Sequence, residues 1–528
     1  MAPRIVPTTS IADFRWVNPF AESQALNAHA QRYLSSSKLP LYRSLQAGHK
    51  TPLILIPGLA SSRLYAKYTQ HTTPKCCFVP AVPLTPCNAT SRKIQDSWEQ
   101  VWASAWGVSR NDCWRDLLRM GYSDGKFTEP EHVEKTAWRT ENIDASGRFV
   151  ITPDFGDVKG CADLLTVGGA LHPSAAWVFR NLIDFVEKTK GYTPTESVFG
   201  APYDFTKISN SEYMFSYYYR LKLMIEYAFE LNGGKPVVIV SHSLGCPVTN
   251  TFFNLYLPTV MSSVQAASMW KTTFVRLWIP VGGPFAGAFK ACRAIMKGDG
   301  LGMDATCLTD CTAWYNEFQY LISGLVWMTP DSEVFENARA CVITEGASSQ
   351  SFSASISSLV DMYWYAGKAR TGVAYVTNTQ PLSAYVKAAP GVPVHVVTSS
   401  CTHKGGTEGS QIYTRYRNTG KFSDDFTVEC VDERDSYTAM FAGSAATRLQ
   451  YEIRDGIAVQ DMIGDGTVPY MSLMVPRTWK VGGSNPNADA NGRPLPVTFT
   501  HWIGGQEVEH KDILANPALL SLVADSLD

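Results

Sequence analysis

Ser243 stands in "VVIVSHSLGCPV" (Val237–Val248), between His242 and Leu244. A hydroxyl at neutral pH is a poor nucleophile. It needs a base, an acid to orient that base, and N–H groups to hold an oxyanion. Residues of those types follow in the chain. Asp465 lies between two glycines in "IGDGTVPYMSL", and His510 lies in "GGQEVEHKDILANPALL", just before an apolar C-terminal helix. Serine, acid, histidine is the chain order of proteins whose nucleophile sits on a strand–turn–helix elbow. The chemistry such a set performs is acyl transfer through a serine ester. Each signal alone has a plain reading: a serine in a turn, an Asp-Gly turn, and one of ten histidines on the surface. The ordered combination gives the functional reading its weight.

These side chains need elements to position them. "PVVIV" reads as a buried strand running into Ser241-His242-Ser243-Leu244-Gly245, and "CPVTNTFFNLYL" as the helix after it. Such a turn lifts the serine hydroxyl above the sheet and aims the Leu244 N–H at an oxyanion. A second N–H must come from the loop after an earlier strand. "TPLILIPGLASSRL" supplies a strand and a Pro-Gly turn, with Gly58 allowing close approach and Leu59 or Ala60 offering the amide. "SAAWVFRNLIDFVEKTKGY" and "EYMFSYYYRLKLMIEYAFELNGG" carry apolar residues at helical spacing and end in glycine. "TESVFG", "FVRLWIPVGGP" and "GVPVHVVTSS" are further strands. Strands alternating with helices predict βαβ units and a mostly parallel sheet, an α/β class.

The bulk of the chain narrows the function classes. At 528 residues it exceeds a usual single domain. A net charge of −2 leaves no basic footprint, so nucleic acid is not expected as a partner. No run of about 18 apolar residues appears, so no spanning helix is expected. The N-terminus lacks a signal-peptide core; the chain is either cytosolic or begins after a removed signal. Twelve cysteines lean toward an oxidising compartment, and Asn88 heads one glycosylation sequon. The organisation predicted is an N-terminal extension (1–48), a core (49–74, 151–283 and 361–528), a cysteine- and tryptophan-rich cap (75–150) and a second insertion (284–360).

The set "LILIPGLASSRLYAK", "CWRDLLRMGY", "VFGAPYDF", "VVIVSHSLG", "GDGTVP" and "VEHKDILAN" resembles the lecithin:cholesterol acyltransferase family, across nearly the whole chain. The resemblance implies an α/β-hydrolase core with a cap and a mobile lid. It also implies a reaction: cleavage of a glycerophospholipid acyl ester, with transfer of the acyl group to an alcohol or to water. Carried over motif by motif, Ser243 is the nucleophile, Asp465 the acid and His510 the base, with oxyanion amides from Leu59 and Leu244. No metal or organic cofactor is required. The partners implied are a phospholipid bilayer or lipoprotein-like surface and a lipid alcohol acceptor, in a secreted or lumenal, lysosomal setting. This chain departs from the family at Ser241, Cys246, Phe205 and "PGLASS", which leaves the acceptor open. The alternatives are a neutral lipase or esterase with the same triad, and a catalytically idle lipid binder on the same fold.

Trp98, Trp102 and Trp106 recur every four residues, one face of a helix, and Ser97 with Gln100 forms a capping-box pattern. That face, and Phe205, are candidate lipid or membrane contacts. In the family this cysteine-bracketed region helps to bind lipid. Cys113 matches one half of its disulfide, and Cys76, Cys77 and Cys87 remain open as the partner, with Cys87–Cys113 the candidate pair. A zinc site at Cys76-Cys77 lacks the usual spacing. In the second insertion, Gly298, Gly300 and Gly302 are candidate lid hinges, and Cys307 and Cys311 a candidate tie.

Overall fold

A computed structural model of the protein describes residues 49–68, 98–102, 118–123, 126–129, 133–164, 176–299, 312–335, 339–345, 348–365, 367–401, 414–415, 426–429, 464–504 and 508–528. Its centre is a six-stranded sheet of β1 (Leu53–Ile56), β2 (Val198–Gly200), β3 (Val237–His242), β4 (Val275–Val281), β5 (Val394–Cys401) and β6 (Val497–Gly504). The order across the sheet is β6-β5-β4-β3-β1-β2, and every pairing is parallel. Around it lie α1 (Arg180–Lys190), α2 (Ser211–Leu231), α3 (Gly245–Thr251), α4 (Phe289–Lys297), α5 (Ser323–Trp327), α6 (Ile356–Tyr365) and α7 (Pro517–Ser526).

The apolar strand runs are explained by burial on both faces. Leu53, Leu55, Val238 and Val240 face α1 and α7, packing with Leu182, Ile183, Leu519 and Val523. Their alternates Ile54, Ile56, Val237 and Ile239 face the other layer, with Met224 and Ile225 of α2 and Val248 of α3. The strand period of two thus divides one sequence run between two cores. α1 ends at Gly191, whose φ of 62° suits the left-handed cap predicted by "KTKGY". α2 begins where the Asn210 side chain accepts the Tyr213 N–H at 2.9 Å.

The expected tryptophan helix is not what residues 98–102 form. Glu99–Gln100 is a short strand paired antiparallel with Tyr65–Tyr68, and the Val101 N–H donates to Leu64 O at 2.8 Å. Edge pairing satisfies this backbone, and tertiary contacts override the spacing of the tryptophans. Trp102 is 1% exposed and donates its indole N–H to Ala60 O at 2.7 Å, while Phe205, fully buried, packs edge-on against it at 5.3 Å. Neither meets solvent, so neither is a surface contact in this conformation. Trp98 is partly exposed beneath the Lys67 ammonium. Trp106, Cys76, Cys77, Cys87, Cys113, Gly300, Gly302, Cys307 and Cys311 lie outside the described residues, as do Ser97 and Asn88. Gly298 caps α4 with φ 91°.

Side-chain contacts fasten α4, α5 and α6: Ser323 Oγ of α5 donates to Thr206 O at 2.8 Å, and Cys292 Sγ of α4 lies 3.6 Å from Tyr363 Oη of α6. Asn316 Nδ2 donates to Ile295 O, Thr371 Oγ1 to Tyr320 O, and Tyr375 Oη to Pro330 O. The helix α6 crosses residue 360, where the second insertion was expected to end. No helix among the described residues is long and apolar enough to cross a membrane.

A half-buried histidine on the sheet edge and a buried one at the end of β3 give the fold a predictable pH response. Burial pushes the His501 imidazole of β6 down from 6.5 to about 4, with Arg477 adding to the effect. Burial and the neighbouring His510 push His242 down to about 3. Both folded values lie below the unfolded one, so the unfolded chain takes up protons that the native state refuses. Stability is therefore complete above about pH 6.5 and declines as pH falls toward about 4. The melting temperature is expected to drop over that window, and His501→Gln to flatten the slope. An unchanged melting temperature across the window would contradict the burial argument.

Candidate active site

β3 ends at His242 and α3 begins at Gly245, so Ser243 sits in the turn between them. Its φ is 53°, a left-handed conformation that costs a non-glycine residue about 1–3 kcal/mol. The turn is held by the Ser243 N–H donating to Val281 O at 2.9 Å and the Cys246 N–H donating to Ser243 O at 2.8 Å. Gly245 has a steric reason: a Cβ there would lie 2.5 Å from Pro57 O and 2.7 Å from Ile56 O. The Ser241 and Cys246 departures are accounted for together. Ser241 Oγ accepts the Trp278 indole N–H at 2.8 Å and donates to Cys246 Sγ at 3.3 Å. Burial raises the Cys246 thiol to about 12, so it stays protonated beneath the elbow and is no rival nucleophile.

His510 Nε2 lies 2.8 Å from Ser243 Oγ, and His510 Nδ1 lies 2.6 Å from Asp465 Oδ2. The carboxylate can only accept, so Nδ1 carries the proton and Nε2 is free to accept from the serine. Asp465 is 1% exposed. Its other oxygen accepts the N–H groups of Thr467 at 3.1 Å and Val468 at 2.7 Å. The flanking Gly464 and Gly466, with φ of 110° and 83°, permit that tight turn. The His510 N–H donates back to Asp465 O at 2.8 Å, and Ser399 Oγ donates to Val508 O at 2.5 Å. These bonds hold the histidine loop to the ends of the strands. Gly282 leaves room for the pair: a Cβ there would come within 3.2 Å of both Asp465 Oδ2 and His510 Nδ1.

The loop after β1 closes on the serine. A Cβ on Gly58 would lie 2.7 Å from Ser243 Cβ, so the backbone approach expected of this glycine is realised. Neither the Leu59 nor the Leu244 N–H has a hydrogen-bond partner among the described residues. Ser61 Oγ donates to Leu59 O at 3.1 Å, and Trp102 holds Ala60 O from below. Trp102 thus props the turn that carries the Leu59 amide. Trp102→Phe would leave the buried Ala60 carbonyl without its indole donor. A loss of about 1–3 kcal/mol is expected, read as a lower urea midpoint at unchanged slope. A midpoint equal to wild type would refute the prop. α5 lies over the same turn, where a Cβ on Gly324 would fall 2.5 Å from Phe205 O and 2.9 Å from Leu59 Cδ1.

The structure thus brings Ser243, Asp465, His510, Leu59 and Leu244 together, with Trp102 and Phe205 buried behind the Leu59 turn. One residue at the site escaped the sequence reading. His242, 4% exposed, has Nε2 at 2.7 Å from His510 O. The available signal was a histidine ending a strand that opens on four apolar residues, where a buried imidazole must find a partner. Among the described residues, no cluster of three His, Cys, Asp or Glu side chains could hold a metal.

Comparison with known proteins agrees with this architecture. Residues 167–380 match the family described as lecithin:cholesterol acyltransferase, a span that includes Ser243 but not Leu59, Asp465 or His510. The human lysosomal phospholipase A and acyltransferase is 29% identical over 260 residues, 48% of this chain and 52% of that protein. The mouse phosphatidylcholine-sterol acyltransferase is 26% identical over 305 residues, 56% and 57% of the two chains. The lecithin-cholesterol acyltransferase-like 1 protein of Arabidopsis thaliana is 22% identical over 370 residues, 68% and 74%. The chain spans about half the length of the first two. A chain of the Tle4–Tli4 complex superposes with a TM-score of 0.42 at 12% identity, over 90% of this chain and 98% of that one, too loosely to inform the site. An all-parallel sheet flanked by helices and an elbow serine within the matched segment make this chain similar, over residues 167–380, to the lecithin:cholesterol acyltransferase family.

Proposed function

We propose that the protein is a serine-dependent phospholipase A and acyltransferase. It cleaves a fatty acyl ester of a glycerophospholipid and passes the acyl group to a lipid alcohol or to water. The observation that carries this reading is the hydrogen-bonded chain Ser243–His510–Asp465, at 2.8 and 2.6 Å, in a protein similar to that family.

The geometry supports the following reaction. Ser243 Oγ attacks the ester carbonyl while His510 Nε2 takes its proton. Asp465 keeps the imidazole in the Nδ1–H tautomer and stabilises the imidazolium. The carbonyl oxygen, now negative, accepts from the Leu59 and Leu244 N–H groups, which have no other partner among the described residues. As the ester C–O bond breaks, Nε2–H protonates the departing lysophospholipid oxygen. An acceptor hydroxyl or water then loses its proton to Nε2 and attacks the acyl-enzyme. Collapse of the second tetrahedral intermediate returns the proton to Ser243. The substrate is met at a lipid surface, in a secreted or lumenal setting.

The test uses phosphatidylcholine vesicles with and without a long-chain alcohol or sterol, with products followed by mass spectrometry. Lysolipid together with new acyl ester is the expected result. Free fatty acid alone would limit the protein to hydrolysis with those acceptors. Turnover of neutral esters but not phospholipid would make it a lipase. Absence of turnover, together with no labelling of Ser243 by a fluorophosphonate, would leave an idle lipid binder and end the proposal.

A further inference from the structure

We propose that His242 is a positioning residue, which fixes the main chain of the base by donating its Nε2–H to the His510 carbonyl. The inference rests on the triad reading above.

A main-chain carbonyl can only accept, so the 2.7 Å contact assigns the proton of His242 to Nε2. The ring is then neutral, and burial keeps it so, since the protonated form is disfavoured far below neutrality. Neutrality matters here. The two imidazole centroids are 4.9 Å apart, tilted by 38°. His510 must become an imidazolium in each half-reaction, and a second positive ring at that distance would oppose it. A lysine or a solvated histidine would make the same hydrogen bond at the cost of that repulsion.

The position of His242 gives the bond its leverage. It is the last residue of β3 and the immediate neighbour of the nucleophile. On its far side, the Cβ site of Gly58 lies 3.3 Å from its Nδ1, so the ring fills the slot between the oxyanion turn and the base. His510 is therefore held at three points: its N–H by Asp465 O, its side chain by Asp465 Oδ2, and its carbonyl by His242. The first two ties, with the Ser399–Val508 bond, anchor the loop ahead of and at the base. The third fixes the carbonyl that follows the base and sets it relative to the serine through the residue next to Ser243. A shift of about 1 Å in such a distance can cost about 100-fold in rate.

The experiment compares His242→Gln, His242→Phe and His242→Asn in the full chain. Glutamine can place an N–H near the Nε2 position, phenylalanine keeps the bulk without the donor, and asparagine keeps an amide too short to reach. Three quantities are read: kcat and KM on phosphatidylcholine vesicles, the rate of fluorophosphonate labelling at Ser243, and the melting temperature. For His242→Phe and His242→Asn, kcat and the labelling rate are expected to fall together by about 10- to 100-fold, with KM within about twofold of wild type. His242→Gln is expected to recover to within about fivefold of wild type. Should His242→Phe not fold, the glutamine and asparagine variants carry the comparison alone. Equal rates for glutamine and asparagine, or wild-type labelling in His242→Phe, would overturn the role of the donor. Wild-type protein that does not label at all would overturn the triad reading, and this inference with it.

Discussion

Ser243→Ala is expected to lower kcat/KM on phosphatidylcholine vesicles by at least about 10⁴-fold, while leaving the fold intact. Its Oγ is the only atom removed, and that atom's hydrogen bond in the structure is to His510 Nε2 at 2.8 Å. The turn itself is held by main-chain bonds to Val281 and Cys246, which alanine keeps. The left-handed φ of 53° is no easier for alanine than for serine, so stability should change little. What survives is catalysis by the oxyanion amides and by binding alone, which in other serine enzymes is a small residue of the whole. The measurement is lysolipid formation under single-turnover conditions, with labelling by a fluorophosphonate alongside. A variant retaining more than about a tenth of the wild-type rate would remove Ser243 from the reaction.

The second large effect is expected from Asp465→Asn, at about 10³- to 10⁴-fold in kcat with a far smaller change in KM. Asparagine is nearly isosteric, and its carbonyl oxygen can still accept the N–H groups of Thr467 and Val468. Its amide nitrogen is then turned to His510 Nδ1, where it can only donate. The imidazole answers by carrying its proton on Nε2, the nitrogen that must accept from Ser243. The site keeps its shape and loses its base. Circular dichroism should be unchanged while kcat collapses. Equal kcat for variant and wild type would show that another group orients the histidine.

Much of this arrangement could be read in the sequence, for identifiable reasons. β1 and the first four residues of β3 are apolar runs that begin after Pro52 and Pro236, and burial on both faces demands such runs. Ser243, Asp465 and His510 follow from chain order because each lies in a loop beside a recognisable element. The tryptophan stripe misled because its spacing is a local property, whereas the partner that fixes the Trp102 indole is 42 residues away. His242 was invisible for the opposite reason. It sits inside the elbow motif at a position where the motif accepts many residues, and its role appears only when His510 O arrives beside it. α4 and α5 are held by side chain-to-carbonyl bonds with other segments, Asn316 to Ile295 O and Ser323 to Thr206 O, which no periodicity encodes.

The relay also has a folding consequence. Ser243 and His510 are 267 residues apart in sequence, and His510 comes after β6, the edge strand laid against β5. Closing so long a loop is entropically late, because many shorter contacts must form before it becomes affordable. Competence to react with a fluorophosphonate should therefore return after the bulk of the helical signal when the denatured chain refolds. The active site would act as a clock for the last step of assembly, the seating of the C-terminal segment on a sheet already built.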